Sequence, residues 1–292
     1  MILTEHPRPS HTFVHISDTH LPGRRSPLYG SETDPDSNLL LLLSRLVDSG
    51  LRPDALLMTG DMADRGDASA YRRLRDLVSP VAEELGCEVV WAAGNHDERT
   101  AMRTELGLAG SGAEPVTEVR WFGGLRVIVA DSTVPGKHWG EVPSSQLAWL
   151  SSELSTPAPE GTLLMMHHPP LPTVLDLAVT VELRGQAELA AVLRGSDVRG
   201  ILSGHVHHPS FGTFAGIPVA VASSSAYGQD LAQPRGATRG QDAAQGYNLV
   251  QVYAESVVHS VVSLELGADV GEPVDADEAR RRIAGRGIGW RS

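Results

Sequence analysis

Residues 199–210 read RGILSGHVHHPS, an apolar run that ends in a group of histidines. The run 200–203 predicts a buried strand, and His205, His207 and His208 follow just beyond its end. In extended backbone, residues two apart point to the same side, so His205 and His207 can face one point. Because neutral imidazole is a common metal ligand, this strand end is a candidate ligand site.

The same arrangement recurs after four other predicted strands. The polar residues that follow these strands are, in chain order, Asp18 and His20; Asp61; Asn95, His96 and Asp97; and His167 and His168. One such group alone is weak evidence, since a Gly-Asp pair after a strand is usually a turn. Five groups at the same end of five strands indicate one shared site, because ligands bind at the carboxyl ends of strands in open α/β sheets.

The types of side chain indicate what the site binds. Carboxylate oxygens mixed with imidazole nitrogens, without a thiolate, suit Mn or Fe, with Zn as a further option. Seven or more ligand-type residues are too many for one ion and fit two ions that share a bridging ligand. Gly60, Gly94 and Gly204 stand where neighbouring backbones must approach closely, and we expect that a side chain would not fit there.

The order of apolar runs and helical patterns predicts an α/β sandwich built on more than one sheet. The predicted strands cover 12–17, 55–59, 88–93, 125–130, 162–166, 200–203, 217–223, 247–253 and 257–264. The predicted helices cover 37–49, 67–85, 144–154, 184–194 and 276–284. Most of the strands are apolar on both faces, as is typical of strands that are covered on both sides.

Composition and charge narrow the function. The chain has 292 residues and a formal net charge of −12, which argues against binding to a nucleic-acid duplex. The longest apolar run, 39–43, is too short to span a bilayer, and no export signal is visible. With a single cysteine, Cys87, no internal disulfide can form, and we expect a cytoplasmic protein.

The ordered motifs resemble those of a known family. DTH at 18–20, GD at 60–61, GNHD at 94–97, HH at 167–168 and GHVH at 204–207 resemble the calcineurin-like metallophosphoesterase superfamily, over roughly residues 12–263. Longer stretches, among them HISDTHL, SGLRPDA and HHPPLPTVLD, are similar to mycobacterial-type class III cyclic nucleotide phosphodiesterases. The resemblance implies a four-layer αββα sandwich of two mixed β-sheets flanked by helices, a dinuclear metal centre and a homodimer.

The resemblance also implies roles for individual residues. It assigns Asp18, His20 and His207 to one metal, and Asn95, His167 and His205 to the other, with Asp61 as the bridge. His96 is then free to meet the substrate as the catalytic residue. Asp64 and Asp97 are candidates to orient His96 by hydrogen bonding, with plain loop carboxylates as the alternative. His168 and His208 are expected on the surface or behind the ligands.

The implied activity is a metal-dependent phosphoric diester hydrolase. Its substrate would be a small molecule of the 3′,5′-cAMP type, converted to a nucleoside monophosphate by in-line attack of a metal-bridging hydroxide. The motifs leave open 2′,3′-cyclic nucleotides, glycerophosphodiesters and monoesters as substrates. A non-catalytic scaffold is a further alternative, against which the complete ligand set argues. We expect the loops 131–146, 168–184 and 224–246 to select the substrate.

The end of the chain differs in composition from the rest. We predict a catalytic domain over 1–266 and a tail over 267–292 with a short helix. Acidic residues begin that helix and arginines end it, which suits the helix dipole. We expect a solvated helix with a frayed end. The alternatives are contact with a partner subunit or, through Arg286, Trp290 and Arg291, with an anionic membrane surface.

Overall fold

The computed structural model describes residues 2–265 and 267–291 as an α/β fold. The strands are, in chain order, β1 (Ile2–Pro7), β2 (His11–Ile16), β3 (Ala55–Thr59), β4 (Glu88–Ala92), β5 (Glu118–Phe122), β6 (Leu125–Val129), β7 (Gly140–Glu141), β8 (Thr162–Met165), β9 (Leu183–Arg184), β10 (Val198–Ser203), β11 (Ser210–Phe214), β12 (Ile217–Val221), β13 (Gly228–Gln229), β14 (Gly240–Gln241), β15 (Gly246–Val252), β16 (Val257–Ser263) and β17 (Ile288–Arg291). The helices are α1 (Pro35–Asp48), α2 (Ala68–Leu85), α3 (Arg99–Leu106), α4 (Ser144–Glu153), α5 (Gln186–Leu193) and α6 (Ala276–Gly285), with a 3-10 helix at Asp176–Val181.

Two large mixed sheets carry the fold. One has five strands in the order β16-β15-β2-β3-β4, and the other has six in the order β11-β12-β10-β8-β6-β5. In the first, β2, β3 and β4 run parallel, and in the second β6, β8, β10 and β12 run parallel. Antiparallel strands complete both sheets. The prediction of two mixed sheets is therefore confirmed.

Alternation along the strands divides the apolar residues among separate cores. In β8, Leu163 and Met165 pack into the core between the two sheets, whereas Leu164 faces a core shared with α4 and α5. In β3, Leu57 likewise faces the other sheet, whereas Leu56 packs toward α1 and α2. Because neighbouring side chains of a strand point to opposite faces, strands buried on both sides must be apolar throughout. Three cores separate four layers, which is the αββα order expected.

The structure adds elements that the sequence pattern did not reveal. Helix α3 has only Met102 and Arg103 buried, so it lacks the apolar stripe that marks a helix. Its start is set by Glu98, whose carboxylate accepts from two backbone N–H groups of the first turn. Strands β5 and β11 lie at the two edges of the six-stranded sheet. Exposed edge strands need fewer apolar residues, and this explains why their pattern is faint.

The tail forms a helix and a strand. Helix α6 has no buried residue, as expected for a solvated helix. The expectation of a frayed end is wrong for the described part, since β17 pairs in parallel with β1, with Ile2 opposite Ile288. Met1, Leu266 and Ser292, at the predicted domain limits, lie outside the described residues. Within the described ranges, no helix has the length and apolarity that a membrane crossing requires.

Candidate metal centre

The strand ends turn sharply where the candidate ligands stand. Five of the predicted ligands have a positive φ: Asp18 (54°), His20 (43°), Asp61 (52°), His205 (76°) and His207 (55°). A left-handed backbone costs a non-glycine residue on the order of 1 kcal/mol or more, and such strain is often found at functional sites. Here it bends the chain so that side chains from both sheets point to one place.

We call Asp18, His20 and His207 the inner cluster, because all three side chains are buried. The Nε2 atoms of His20 and His207 lie 3.0 Å apart. Asp18 Oδ1 lies 3.4 Å from His207 Nε2 and 3.9 Å from His20 Nε2. The ends of β2 and β10, one strand from each sheet, therefore supply one compact group of ligand atoms.

We call Asn95, His167 and His205 the outer cluster, because Asn95 and His205 are only half-buried. His167 Nε2 lies 3.1 Å from Asn95 Oδ1 and 3.2 Å from His205 Nδ1. The three residues follow β4, β8 and β10. The outer cluster thus brings together the second predicted set of ligands.

Asp61 joins the two clusters. Its Oδ2 lies 3.5 Å from His20 Nε2 and 3.3 Å from His167 Nε2, so a single oxygen faces both. Its Oδ1 accepts a hydrogen bond of 2.8 Å from the backbone N–H of His96. The Asp61 carboxylate therefore lies between the two clusters.

Hydrogen bonds at the far side of the rings decide which nitrogens face the clusters. His167 Nδ1–H donates to the Thr59 carbonyl (2.8 Å), and His207 Nδ1–H donates to the Tyr227 carbonyl (3.1 Å). His205 Nε2–H donates to the Val181 carbonyl (2.9 Å). When neutral, each of these three rings therefore turns an unprotonated nitrogen, a lone pair, toward the other ligand atoms.

While these rings are neutral, atoms able only to accept face one another in both clusters. Lone pairs, amide oxygens and carboxylate oxygens at 3.1–3.4 Å repel one another unless a metal ion or a proton lies between them. Mixed oxygen and imidazole donors suit a divalent transition metal. The residues present therefore fit two metal ions, one in each cluster.

The pKa values show how the clusters respond without a cation. Burial lowers the pKa of His167, but the facing Asp61 carboxylate outweighs it and raises this pKa to about 9. Burial and the neighbouring His167 lower the pKa of His205 to about 3. Burial also lowers the pKa of His20. A proton on His167 thus partly replaces a metal ion in the outer cluster.

Three glycines allow the strand ends to crowd together. A Cβ at Gly94 would lie 2.1 Å from the Asp61 backbone nitrogen, and one at Gly60 would lie 2.5 Å from His167 Nδ1. At Gly204 a Cβ would lie 1.8 Å from Ser17 Oγ. The expectation that these positions exclude a side chain is confirmed.

His96 stands beside the clusters, half-exposed. Its Nδ1–H donates to the Asp64 backbone carbonyl (2.7 Å), and among the described residues its Nε2 has no hydrogen-bond partner. The Asp64 carboxylate instead accepts from Tyr29 Oη (2.5 Å) and lies 3.5 Å from His20 Nδ1. Asp64 therefore orients His96 through its backbone, and its side chain supports His20.

Asp97 does not orient the His96 ring. Its carboxylate accepts hydrogen bonds from the backbone N–H groups of Met62, Ala63 and Gly94 and from Tyr71 Oη. It therefore ties the turn after β3 to the turn after β4. The expected bond from this carboxylate to His96 is replaced by bonds to backbone, because the loop N–H groups need an acceptor.

Several residues near the site were not singled out from the sequence. His138 Nδ1 lies 3.1 Å from Asn95 Nδ2, and its ring is 5.4 Å from that of His96. Tyr227 packs against His207 with the two rings tilted, their centroids 4.3 Å apart. His138 lies in the loop 131–146 and Tyr227 in the loop 224–246. The length of these loops was the one feature of the sequence that could have pointed to them.

The two remaining histidines differ from each other. His168 is fully buried, with Nδ1 2.8 Å from Ser132 Oγ and its ring 4.4 Å from the ring of His205. It therefore lies behind the outer cluster rather than on the surface. His208 Nδ1 lies 3.0 Å from Ser210 Oγ, away from both clusters.

The chain is similar to known proteins in sequence and in fold. The chain matches the family model of calcineurin-like phosphoesterases over residues 11–209. It is 55% identical over 284 residues to a cAMP/cGMP dual specificity phosphodiesterase of Mycobacterium tuberculosis, covering 97% of this chain and 89% of that protein. It is 54% identical to a probable cyclic nucleotide phosphodiesterase of Rhodococcus erythropolis, covering 97% and 94%. Among solved structures, a dimetal phosphatase from Danio rerio shares the fold, with a TM-score of 0.62 at 14% identity over 88% of this chain and 97% of that one.

Proposed function

The chain belongs to the calcineurin-like phosphoesterase family, and on that premise we propose that it is a metal-dependent phosphodiesterase for cyclic nucleotides. The proposed substrate is a 3′,5′-cyclic nucleotide of the cAMP type, and the product is the nucleoside monophosphate. The names of the Mycobacterium and Rhodococcus relatives, at 55% and 54% identity, support this substrate class.

One observation carries the proposal: two clusters of acceptor atoms share the Oδ2 atom of Asp61. Two divalent ions held there would supply Lewis-acid charge and would lower the pKa of a bound water for attack on phosphorus. Their charge also reconciles an anionic substrate with a protein of net charge −12. We assign Asp18, His20 and His207 to one ion. Asn95, His167 and His205 go to the other, with Asp61 between them.

His96 is the proposed catalytic residue. Its Nδ1–H donates to the Asp64 carbonyl. When the ring is protonated, the second proton is on Nε2, on the other side of the ring. A ribose alkoxide is a poor leaving group and gains most from a proton in the transition state. We propose that His96 gives this proton, or a hydrogen bond, to the leaving oxygen.

Other properties are proposed on narrower support. The oxygen and nitrogen donors favour Mn or Fe, with Zn as the third choice. Homodimer formation rests on the family resemblance alone. A cytoplasmic location rests on the single cysteine, Cys87, which favours a reducing compartment. The division into a catalytic domain over 1–266 and a tail over 267–292 also remains a proposal.

A substrate panel tests the proposed activity. Purified protein loaded with Mn²⁺ is assayed with 3′,5′-cAMP, 2′,3′-cAMP, bis(p-nitrophenyl) phosphate and p-nitrophenyl phosphate. We expect the diesters to have higher kcat/KM than the monoester, and 3′,5′-cAMP to be hydrolysed to AMP. A preference for the monoester would contradict the proposal. Hydrolysis of only the 2′,3′-cyclic isomer would change the assigned substrate.

A further inference from the structure

A hydrophobic cavity lies beside the outer cluster. It has a volume of about 320 Å³ and is bounded by the 3-10 helix Asp176–Val181, by His205 and by the loop that contains β13. His205 forms part of its wall, and the Nε2–H of that ring donates to the Val181 carbonyl, another wall residue. The cavity therefore shares a side chain with the metal centre.

The wall of the cavity is largely apolar, with polar atoms from Thr180, Thr238, His205 and Gln229. Leu175, Leu177, Ala178 and Val206 supply its apolar surface, and the described lining has no aspartate, glutamate, lysine or arginine. Leu177 is 62% exposed, so a ligand could cover it. A phosphate would find no counter-charge on these walls, whereas a flat, neutral ring would bury apolar surface. The volume is at the lower end of the range of ligand sites.

Gln229 adds a polar group to this wall. Its backbone N–H donates to the His207 carbonyl (3.0 Å), which ties the wall to the inner cluster. Within the described residues, its side-chain Oε1 is buried without a hydrogen-bond partner. A buried amide oxygen without a partner is costly, and a ligand that supplies a donor would remove this cost.

We infer that the hydrophobic cavity receives the purine base of the substrate and that Gln229 contacts the edge of the base. This inference rests on the proposed function for its choice of ligand. Adenine offers an amino donor where guanine offers a carbonyl acceptor. A glutamine amide can rotate to present either its oxygen or its NH₂ group, so both purines are accommodated.

The first experiment measures base binding without phosphate or metal. Adenosine is titrated into metal-free protein and followed by ligand-observed NMR. Ala178→Trp, which fills the cavity, should raise the Kd of adenosine at least about tenfold. Val258→Trp places the same bulk in a different cavity and should leave this Kd unchanged. Thr238→Phe obstructs the cavity from another wall residue, and serves if Ala178→Trp does not fold.

The second experiment separates the base from the reacting phosphate. Mn²⁺-loaded variants are assayed with 3′,5′-cAMP and with 1-deoxyribose 3′,5′-cyclic phosphate, which lacks the base. The cavity-filling variant should lower kcat/KM for cAMP about tenfold and leave that of the base-free substrate within about twofold. Equal losses on both substrates, or unchanged adenosine binding, would overturn the inference. If the wild type hydrolyses neither substrate, the proposed function fails, and the adenosine titration still decides whether the cavity binds a base.

Discussion

The inner and outer clusters use the same kinds of ligand but differ in exposure. Asp18, His20 and His207 are all buried, whereas Asn95 and His205 in the outer cluster are half-buried. The outer cluster also borders His138 and the hydrophobic cavity. We expect the inner ion to be held tightly and the outer ion to exchange more readily and to face the substrate. Variants of the ligands and of their neighbours can test this difference, and a variant of Asp61 can test the link between the inner and outer clusters.

The largest effect is expected from Asp61→Ala. Because Asp61 Oδ2 faces both clusters, its loss should weaken the binding of both metal ions. The value of kcat/KM should fall by more than about 10⁴-fold, which exceeds the contribution of a single general acid. Asp18→Ala is the matched control, since the ligand side chains that Asp18 faces belong to the inner cluster, while its link to the outer cluster is a hydrogen bond from the His205 backbone N–H. Metal content after dialysis should fall for both ions in the first variant and mainly for one in the second. Equal, mild losses from both variants would contradict the bridge.

His96→Ala should lower kcat while both metal ions stay bound. His96 donates its Nδ1–H to the Asp64 carbonyl and is not one of the seven assigned ligands, so elemental analysis should still find two ions. A general acid contributes about 10²–10⁴-fold, and kcat for cAMP should fall within that range. The loss should be smaller for bis(p-nitrophenyl) phosphate, because p-nitrophenolate leaves without a proton. Loss of metal would instead make His96 a ligand or a structural support.

His138→Ala should affect the outer cluster alone. His138 Nδ1 accepts from Asn95 Nδ2, which turns the amide oxygen toward His167. Loss of such a supporting contact typically lowers metal affinity about 10–100-fold. In an Asn95→Asp background both terminal atoms are oxygens, so His138→Ala should have little further effect. Competition with a metal chelator measures both pairs, and the same loss in the two backgrounds would refute the orienting role.

The last prediction concerns the pH dependence of metal binding, with the smallest change for each step in conditions. The pKa of His167 is raised to about 9 in the metal-free protein, so an ion entering the outer cluster must displace a proton below that pH. The affinity of the outer ion should therefore fall about tenfold for each unit by which pH drops below 9. The pKa of His20 is lowered, so its ring needs no proton removed near neutrality. In Mn²⁺ titrations at several pH values, the affinity of the outer ion should depend steeply on pH and that of the inner ion should change little. Equal slopes for the two ions would contradict the assignment.

The position of the ligands at strand ends explains why most of them could be predicted from the sequence. The ligands lie at strand ends, and apolar runs followed by Asp, Asn or His mark such ends clearly. The alternation within β3 and β8 likewise follows from burial on both faces. The positions of the candidate ligands after the predicted strands were therefore enough to predict most of the residues of the site.

Contacts between loops could not be predicted in this way. The bond between His138 and Asn95 joins residues far apart in the sequence, and no periodic pattern marks it. The pairing of β17 with β1 depends on the two chain ends meeting. The sequence makes Asp64 and Asp97 candidates to orient His96, with plain loop carboxylates as the alternative. Which of their atoms form hydrogen bonds depends on backbone geometry that spacing does not specify.

Electron paramagnetic resonance of Mn²⁺-loaded protein tests most directly whether Asp61 makes the two clusters one site. Elemental analysis should give two Mn²⁺ ions per chain, and the spectrum should be that of a spin-coupled pair, since a shared carboxylate oxygen brings the ions close. The spectrum of Asp61→Ala should show only isolated Mn²⁺. A wild-type protein that holds one ion, or two ions without spin coupling, would contradict the dinuclear centre.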